Sequence, residues 1–533
     1  MQVGIRRSLR IFMLFAIMLS AAPAMTAQDA SPASEGGSGG TMVGAFDAGP
    51  GGCVECFNPL QATAGFTWLE KYYSKLVLYN VEMTEIQGEL AESWEISEDG
   101  TEYTFTLQDG VTWHDGEAFT ADDVKFTIEL AKDPDSASWI GAKFVDVESV
   151  EVVDDTTVTL TLSQPNAAIL DALTFLVMLP EHELADIAPA DLVQSDWWST
   201  NPIGTGPFKW ADYAPGEYVQ LDAYEDYWRG RPQLDSLINR YFPEAGSSVI
   251  ALRSGEIQFT YLTSDEAASM EGEEGLEILS GPAQVANYLG FDLTEERFQD
   301  PAIRQAFMYA IDRAVIVEQL YGGGATVLAC SFTNEQYIPD DVEAYEYNVD
   351  QARQLLDEAG WEDVNGGEPI EIVTYYEDQL SNDVLVTIQQ FLSDAGIQVE
   401  LRFVDVPTFN ELMNGTEWNI FYGGGANGPD PDVTLPYFTG AEPPEGVNRV
   451  RLESPEMEEL YAAGRAETDP EARVSIYQDI CSWQNENLPW AFMWDATRFG
   501  GVSDTVENFV WTPAPGGGRY YDAAETWALP AGE

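Results

Sequence analysis

Hydrophobic and polar positions change period several times along this chain, and each change marks an element. Tyr103, Phe105 and Leu107 alternate with Thr104 and Thr106, the two-residue period of a half-buried strand. Asp99-Gly100 just before them is a hairpin signal. Thr120 followed by Ala121-Asp122-Asp123 reads as an N-cap with acids in the first helical turn. A second hairpin is expected where Val150 to Val153, Asp154-Asp155 and Thr157 to Leu162 succeed one another. Phe175 to Leu179 is apolar throughout and stops at Pro180, as a buried strand would. A helix is expected between Trp68 and Leu78, a strand over Ile238 to Tyr241, and a helix ending at Gly255 as C-cap.

The second half alternates helices with strands. Asp300-Pro301 opens a helix whose Ile303, Phe307 and Ile311 recur every four residues. Asp350 precedes Ala352, Leu355, Leu356 and Ala359, and Gly360 stops them. Asp469-Pro470 starts a helix carrying Val474, Tyr477 and Cys481 on one face, and Asn382 to Ala395 forms another. The strands Ile370 to Tyr375 and Val399 to Val404 between them predict an α/β lobe. Residues 499–530 hold strand and turn material with no helix, so they need another lobe to pack against.

The ends and the composition narrow the class. Arg6, Arg7 and Arg10 form a basic region before the short apolar run Ile11 to Leu19, and Ala22-Pro23-Ala24 and Thr26-Ala27 are small-residue cleavage sites. Residues 1–27 therefore read as a signal peptide for export to the periplasm or cell surface. Arg6-Arg7-Ser8-Leu9 also suits the twin-arginine route. No cysteine follows for a lipid anchor, and no later segment is apolar enough to span a membrane. Residues 28–43 form an acidic, Gly/Ser-rich leader. The Gly36-Gly37-Ser38-Gly39-Gly40 inside it matches a nucleophile elbow only on paper, lacking the flanking strand and helix.

The 533 residues carry 91 acids against 24 bases, a net charge of −67, which excludes nucleic acid as a partner. Because the acids are spread along the whole chain, a saline habitat explains them more simply than a pocket for polycations. Four cysteines in an exported chain favour disulfides, and Cys53–Cys56 with Cys330–Cys481 is the simplest of three pairings. Cys53-Val54-Glu55-Cys56 also has the spacing of half a zinc site or a redox pair. With only His114 and His182 available, a zinc centre lacks ligands, so no metal or cofactor is expected.

One ordered set of pieces says more. It comprises Leu90-Ala91-Glu92-Ser93-Trp94, Asp99-Gly100, Tyr103 to Leu107, Trp113-His114-Asp115-Gly116 and Thr120 to Val124. Asn201 to Phe208, Gly230 to Asp235 and Ala251 to Ile257 then follow in order. The set resembles the family 5 solute-binding proteins of ABC importers, the group that includes dipeptide, oligopeptide and nickel binders. The resemblance covers roughly residues 44 to 530. It implies an α/β type II periplasmic-binding-protein fold, with two lobes joined by a hinge and an extra subdomain in the N-terminal lobe. Lobe I would span 44–285, with the subdomain at about 67–168. Lobe II would span 286–496, and 497–533 would return to lobe I. The two crossings fall near 281–288 and 495–500. His114, by the same likeness, is structural.

The implied activity is capture of a small solute by a monomer and its delivery to the ABC permease subunits in the membrane. The candidate ligand loop runs from Tyr422 to Asp432, where Gly424 and Gly425 allow close backbone approach and two prolines stiffen the rest. Asn427, Asp430 and Asp432 in the loop, with Tyr375, Trp494 and Phe66 elsewhere, complete the candidate contacts. Peptide-binding members place an aspartate for the ligand's ammonium group where this chain has Asn427, and an amide cannot supply that charge. No lysine or arginine lies between Arg353 and Arg402 to clamp a carboxylate. An oligopeptide is the expected solute. An oligosaccharide stacked on aromatics such as Trp68, Tyr376, Trp418, Trp490 and Trp494 is the alternative. As an enzyme the chain lacks a Walker loop and a triad, which leaves a secreted glycosidase-type carboxylate pair as the one enzymatic alternative. It shows no repeats of a surface-layer protein.

Overall fold

The computed structural model describes residues 39–46, 56–62, 66–244, 246–426, 428–443, 446–511, 513 and 522–530. The expected signal segment and most of the leader lie outside the described residues. Two strands, Leu276–Phe291 and Trp490–Ser503, join two lobes and pair antiparallel with each other. In lobe I, Leu276 to Pro282 face Ser503 to Thr497, and Phe259–Leu262 pairs with the far side of the second strand. In lobe II, Tyr288 to Gly290 face Phe492 to Trp490, and Ile420–Ala426 lies against the first strand. The register shifts between Pro282 and Ala286 and again before Tyr288, which marks the passage from one lobe to the other.

One mixed sheet therefore runs through both lobes. On the lobe II side its order is Val399–Phe403, Ile370–Thr374 and Ile420–Ala426, followed by the two crossover strands. On the lobe I side come Phe259–Leu262, Thr41–Ala45, Ser236–Arg240, Tyr218–Ala223 and Phe208–Ala214. Ile370–Thr374 is parallel to both its neighbours, and the helix Gln379–Ala395 makes the crossover that parallel pairing requires.

The first pieces of the set that carries the resemblance fold in and around an inserted antiparallel sheet ordered Ala91–Ile96, Glu102–Leu107, Thr157–Leu162, Val147–Asp154. Tyr103, Phe105 and Leu107 point inward as their alternation predicts. Thr120 and Asp123 form a capping box on the helix Ala121–Lys132. The same Asp123 carboxylate accepts from Trp113 Nε1 at 3.2 Å and Glu181 N at 3.0 Å, so one buried acid fastens helix, turn and following segment. His114 sits in that turn. Its Nδ1 accepts from Gly204 N and its Nε2 donates to Gly206 O, while burial lowers its pKa to about 4, which keeps the ring neutral.

The helix expected over Trp68 to Leu78 stops after Phe66–Leu69. Tertiary hydrogen bonds take the carbonyls it would need. Phe208 N reaches Lys71 O, Gly206 N reaches Tyr72 O, and Met178 N reaches Ser74 O. That approach explains the Gly204-Thr205-Gly206 turn, because a β-carbon on Gly204 would lie 1.7 Å from Tyr72 O. The apolar run Phe175 to Leu179 is mostly buried but forms only a single bridge, Val177 to Lys75; Leu179 N is taken instead by Thr127 Oγ1.

Lysines that the broken helix would have exposed are buried. Lys71 ion-pairs with Asp522 and lies 4.7 Å over the Trp527 ring, which ties residues 522–530 into lobe I. Burial lowers its pKa to about 7, against the opposing pull of Glu525.

Lobe II has its own core. Asp300 and Asp469 cap Pro301–Ala310 and Pro470–Asn487, and Ile303, Phe307, Ile311, Tyr477 and Cys481 are all buried. Arg313 Nη1 donates at 2.8 Å to both Leu328 O and Phe492 O, holding its helix to the second crossover strand. Cys330 and Cys481 form a disulfide across 151 residues. Cys56 is disulfide-bonded as well, so it has no thiolate to offer zinc; Cys53 lies outside the described residues. Replacing Cys330 and Cys481 together with serine should lower the stability of lobe II by about 4 kcal/mol, read by denaturant titration. Reductant without denaturant should leave the wild-type bond intact, because both residues are fully buried.

Candidate ligand site between the lobes

The strand Ile420–Ala426 carries the candidate loop to the crossover. Tyr422, Gly423 and Gly424 pair with Leu289, Tyr288 and Asn287, and Ala426 reaches Val285. Ile370–Thr374 runs beside it, so Tyr375 and Tyr376 leave the sheet next to the glycine run. A β-carbon on Gly424 would come within 2.8 Å of the Tyr376 hydroxyl and 3.2 Å of Val285 Cγ1. Glycine there lets Tyr376 and the crossover pack against the strand. At Gly423 a β-carbon would meet only the Phe421 ring, at 3.7 Å, although the residue itself is buried in the sheet. Gly425 is half-buried opposite Ala286.

Aromatic rings build the wall beside this backbone. Tyr375 lies 4.7 Å from Tyr376 and 4.8 Å from Phe409, and Tyr376 lies 5.7 Å from Tyr422. Behind them Trp494 Nε1 donates to the Tyr321 hydroxyl at 2.9 Å, and Tyr422 hydrogen-bonds to the same hydroxyl. Burial drives the Tyr422 pKa well above its ordinary value, so its phenol stays protonated. Tyr422 and Trp494 are buried supports, whereas Tyr375 and Tyr376 are half-buried and form the outer layer. Trp68, Trp418 and Trp490 are core residues too, each 2 % exposed, so none of these tryptophans presents a face for stacking.

The acids of the loop turn away from this wall. Asp430 caps the short turn Pro431–Val433, and its carboxylate accepts from Arg473 Nη1 at 2.6 Å and Nη2 at 3.0 Å. Arg473 continues to Gly464 O and the Tyr477 hydroxyl. Asp432 faces Arg465 Nε at 3.6 Å, and burial, together with the adjacent Asp430, pushes its carboxyl up to about 6. Asn427 lies outside the described residues, and Phe66 opens the short helix Phe66–Leu69 in lobe I.

Two residues that periodicity did not point to complete the site. Arg449 is half-buried with its guanidinium 5.9 Å from the Phe409 ring centre, and among the described residues it has no carboxylate partner. Its neighbours Arg402, Arg451, Arg465 and Arg473 all have one. Asp495, in the second crossover strand, accepts from Val285 N at 3.0 Å and Gln284 N at 3.1 Å, where the register shifts. Gln284 there adopts a left-handed φ of 57°. Burial pushes the Asp495 carboxyl up to about 7, against the pull of those two amides. Neither residue stood in a motif, although Asp495 opens the stretch 495–500 expected to cross between the lobes.

Two lobes joined by a pair of strands, with an aromatic wall beside a glycine-rich strand, are the architecture of a ligand-binding protein. The chain belongs to the bacterial extracellular solute-binding proteins of family 5, matching the description "family 5 Middle" over residues 85–445. It is 44% identical over 518 residues to a Brucella ovis protein provisionally named an ABC transporter peptide-binding protein, with 96% of each chain covered. Oligopeptide-binding protein AppA of Bacillus subtilis is 28% identical over 95% of this chain and 96% of its own. The structure of that AppA with a nonapeptide superposes with a TM-score of 0.76 at 28% identity, covering 92% of this chain and 99% of the other. CtaP of Listeria monocytogenes, an ABC transporter substrate-binding protein, gives 0.81 at 25% identity with the same coverage. The fold is the two-lobed α/β type of these proteins, and the family is one of binding proteins, not enzymes. Among the described residues no helix is long and apolar enough to cross a membrane.

Asp430→Ala should lower the stability of the ligand-free protein by about 3 kcal/mol, because it leaves Arg473 buried without its counter-charge; urea unfolding measures this. Asp495 has a folded pKa above its unfolded value, so its contribution to stability falls as pH rises from about 4 to 7 and is level above that. Melting temperatures of Asp495→Asn and wild type from pH 4 to 8 should show that component of the slope only in the wild type. The variant should also be less stable at pH 5, having lost one of its two amide acceptors.

Proposed function

We propose that this protein is the exported substrate-binding component of an ABC importer, working as a monomer in the periplasm or at the cell surface, and that its solute is a peptide. The lobes divide at about residues 285 and 496. The ligand lies against Gly425, Tyr375 and Tyr376, with Tyr422 and Trp494 supporting that wall. The observation that carries the reading is Arg449. In a chain with 91 acids, a half-buried guanidinium beside an aromatic ring, with no carboxylate partner among the described residues, is a counter-charge for an acidic group brought by the ligand. A peptide brings one at its C-terminus, and a neutral oligosaccharide brings none. The buried tryptophans weigh the same way, since sugar rings need an open indole face. The peptide named in the AppA complex supports the choice.

Calorimetric titration tests this with peptides of two to nine residues, their C-terminally amidated forms, and linear oligosaccharides. Free-acid peptides should bind, and both amidation and Arg449→Ala should weaken them by roughly tenfold to a hundredfold. The two losses should not add, because each removes one side of the same pair. Binding of oligosaccharides alone would overturn the reading.

A further inference from the structure

A contact between the lobes lies away from the hinge, on the side of the inserted sheet. We propose that Arg465 of lobe II clasps the lobes by holding one carboxylate from each, Asp146 from the inserted subdomain and Asp432 from the ligand loop. Arg465 Nη2 donates to Asp146 Oδ2 at 2.9 Å, while its Nε faces Asp432 Oδ1 at 3.6 Å. The backbone repeats the connection, with Ala167 N donating to Arg465 O at 2.7 Å. A β-carbon on Gly100, in the hairpin turn of the inserted sheet, would sit 3.3 Å from Thr468 of lobe II, so the surfaces are in contact there.

The chemistry suits a clasp. A chain with a net charge of −67 resists bringing its two halves together, and a cation shared by an acid from each half reverses the sign of that term locally. Arg465 is about a fifth exposed and Asp146 is nearly buried, so salt screens the pair weakly. Asp146 is held ready on its own lobe, accepting from Gln164 Nε2 at 2.9 Å and Asn166 Nδ2 at 3.0 Å. Asp432 follows Asp430 in the turn where the glycine-rich strand ends, so the clasp reaches the ligand wall through a few residues of chain. Arg465 Nε and Asp432 Oδ1 are each buried without a hydrogen bond at this separation. Both belong to lobe II, so a small shift of the guanidinium would complete that bond, and the grip on Asp146 across the lobes sets where the guanidinium sits. Closure and ordering of the ligand loop then become a single equilibrium. The inference rests on the two-lobed fold and holds whatever the solute is.

Small-angle scattering on the ligand-free protein tests it without any ligand. Arg465→Ala should enlarge the radius of gyration, and hydrogen exchange should show roughly tenfold weaker amide protection over residues 428–443. Asp146→Asn, a change on the opposite lobe, should produce the same opening, and the double variant should open no further than either alone. Arg465→Gln, which keeps donors but no charge, decides the matter if the alanine variant does not fold. An unchanged radius in a folded Arg465 variant, or additive effects of the two sites, would overturn the proposal. Because no peptide enters the experiment, its failure is separate from failure of the peptide reading.

Discussion

The hydrogen-bonded pairing of the two crossover strands is the constraint on which the rest depends. A chain that crossed between lobes on two separate loops would leave their relative placement to surface contacts. Here the crossings share a ladder from Leu276 to Gly290, so each lobe is an extension of the same sheet. The ladder is interrupted only where the register slips, and there the Asp495 carboxylate takes the amides of Gln284 and Val285, which have no paired residue in the second crossover strand. On either side of that place the pairing is regular. A hinge of this kind permits rotation of the lobes but little sliding, which is what a cleft needs if its two walls are to meet in a fixed alignment.

Charge is arranged with the same economy. The surface is acidic nearly everywhere, yet most arginines of lobe II are placed singly against buried acids or carbonyls. Arg473 holds the ligand loop to the helix Pro470–Asn487, and Arg313 holds a helix to the crossover. Such pairs cost desolvation, and their use is to fix geometry more than to add stability. Arg449 stands out because among the described residues it has no such partner.

Most of the fold was legible from local signals. The capped helices at Asp300 and Asp469, the alternation at Tyr103 to Leu107 and the parallel strands of lobe II all appear where the pattern places them, because in each the cap, the period and the burial agree. The run from Trp68 to Leu78 misled for an identifiable reason. Its helical spacing is real, but the carbonyls of Lys71, Tyr72 and Ser74 are claimed by segments more than a hundred residues away. The site was legible only as a loop. Its glycines announced close approach, and Gly424 turned out to serve Tyr376 and Val285. The roles of Asp430 and Asp432 could not be read, because their partners Arg473 and Arg465 are brought near by the fold and by nothing in the spacing. Arg449 lies beyond the stretch between Arg353 and Arg402, and nothing in its spacing marks it.

The crossover topology also sets an order of assembly. Thr41–Ala45 has no partner until Ser236–Arg240 and Phe259–Leu262 exist, and the latter pairs in turn with residues 499–502. Lys71 waits longer still, for Asp522. Lobe II needs only a continuous stretch of chain, whereas lobe I is complete only when the last residues arrive. As the polypeptide emerges from a ribosome or a pore, N-terminus first, the half that begins first must finish last. Until then Lys71 and Lys75, destined for the interior, remain in water, and the unfinished half has to be kept from aggregating for nearly the whole of synthesis.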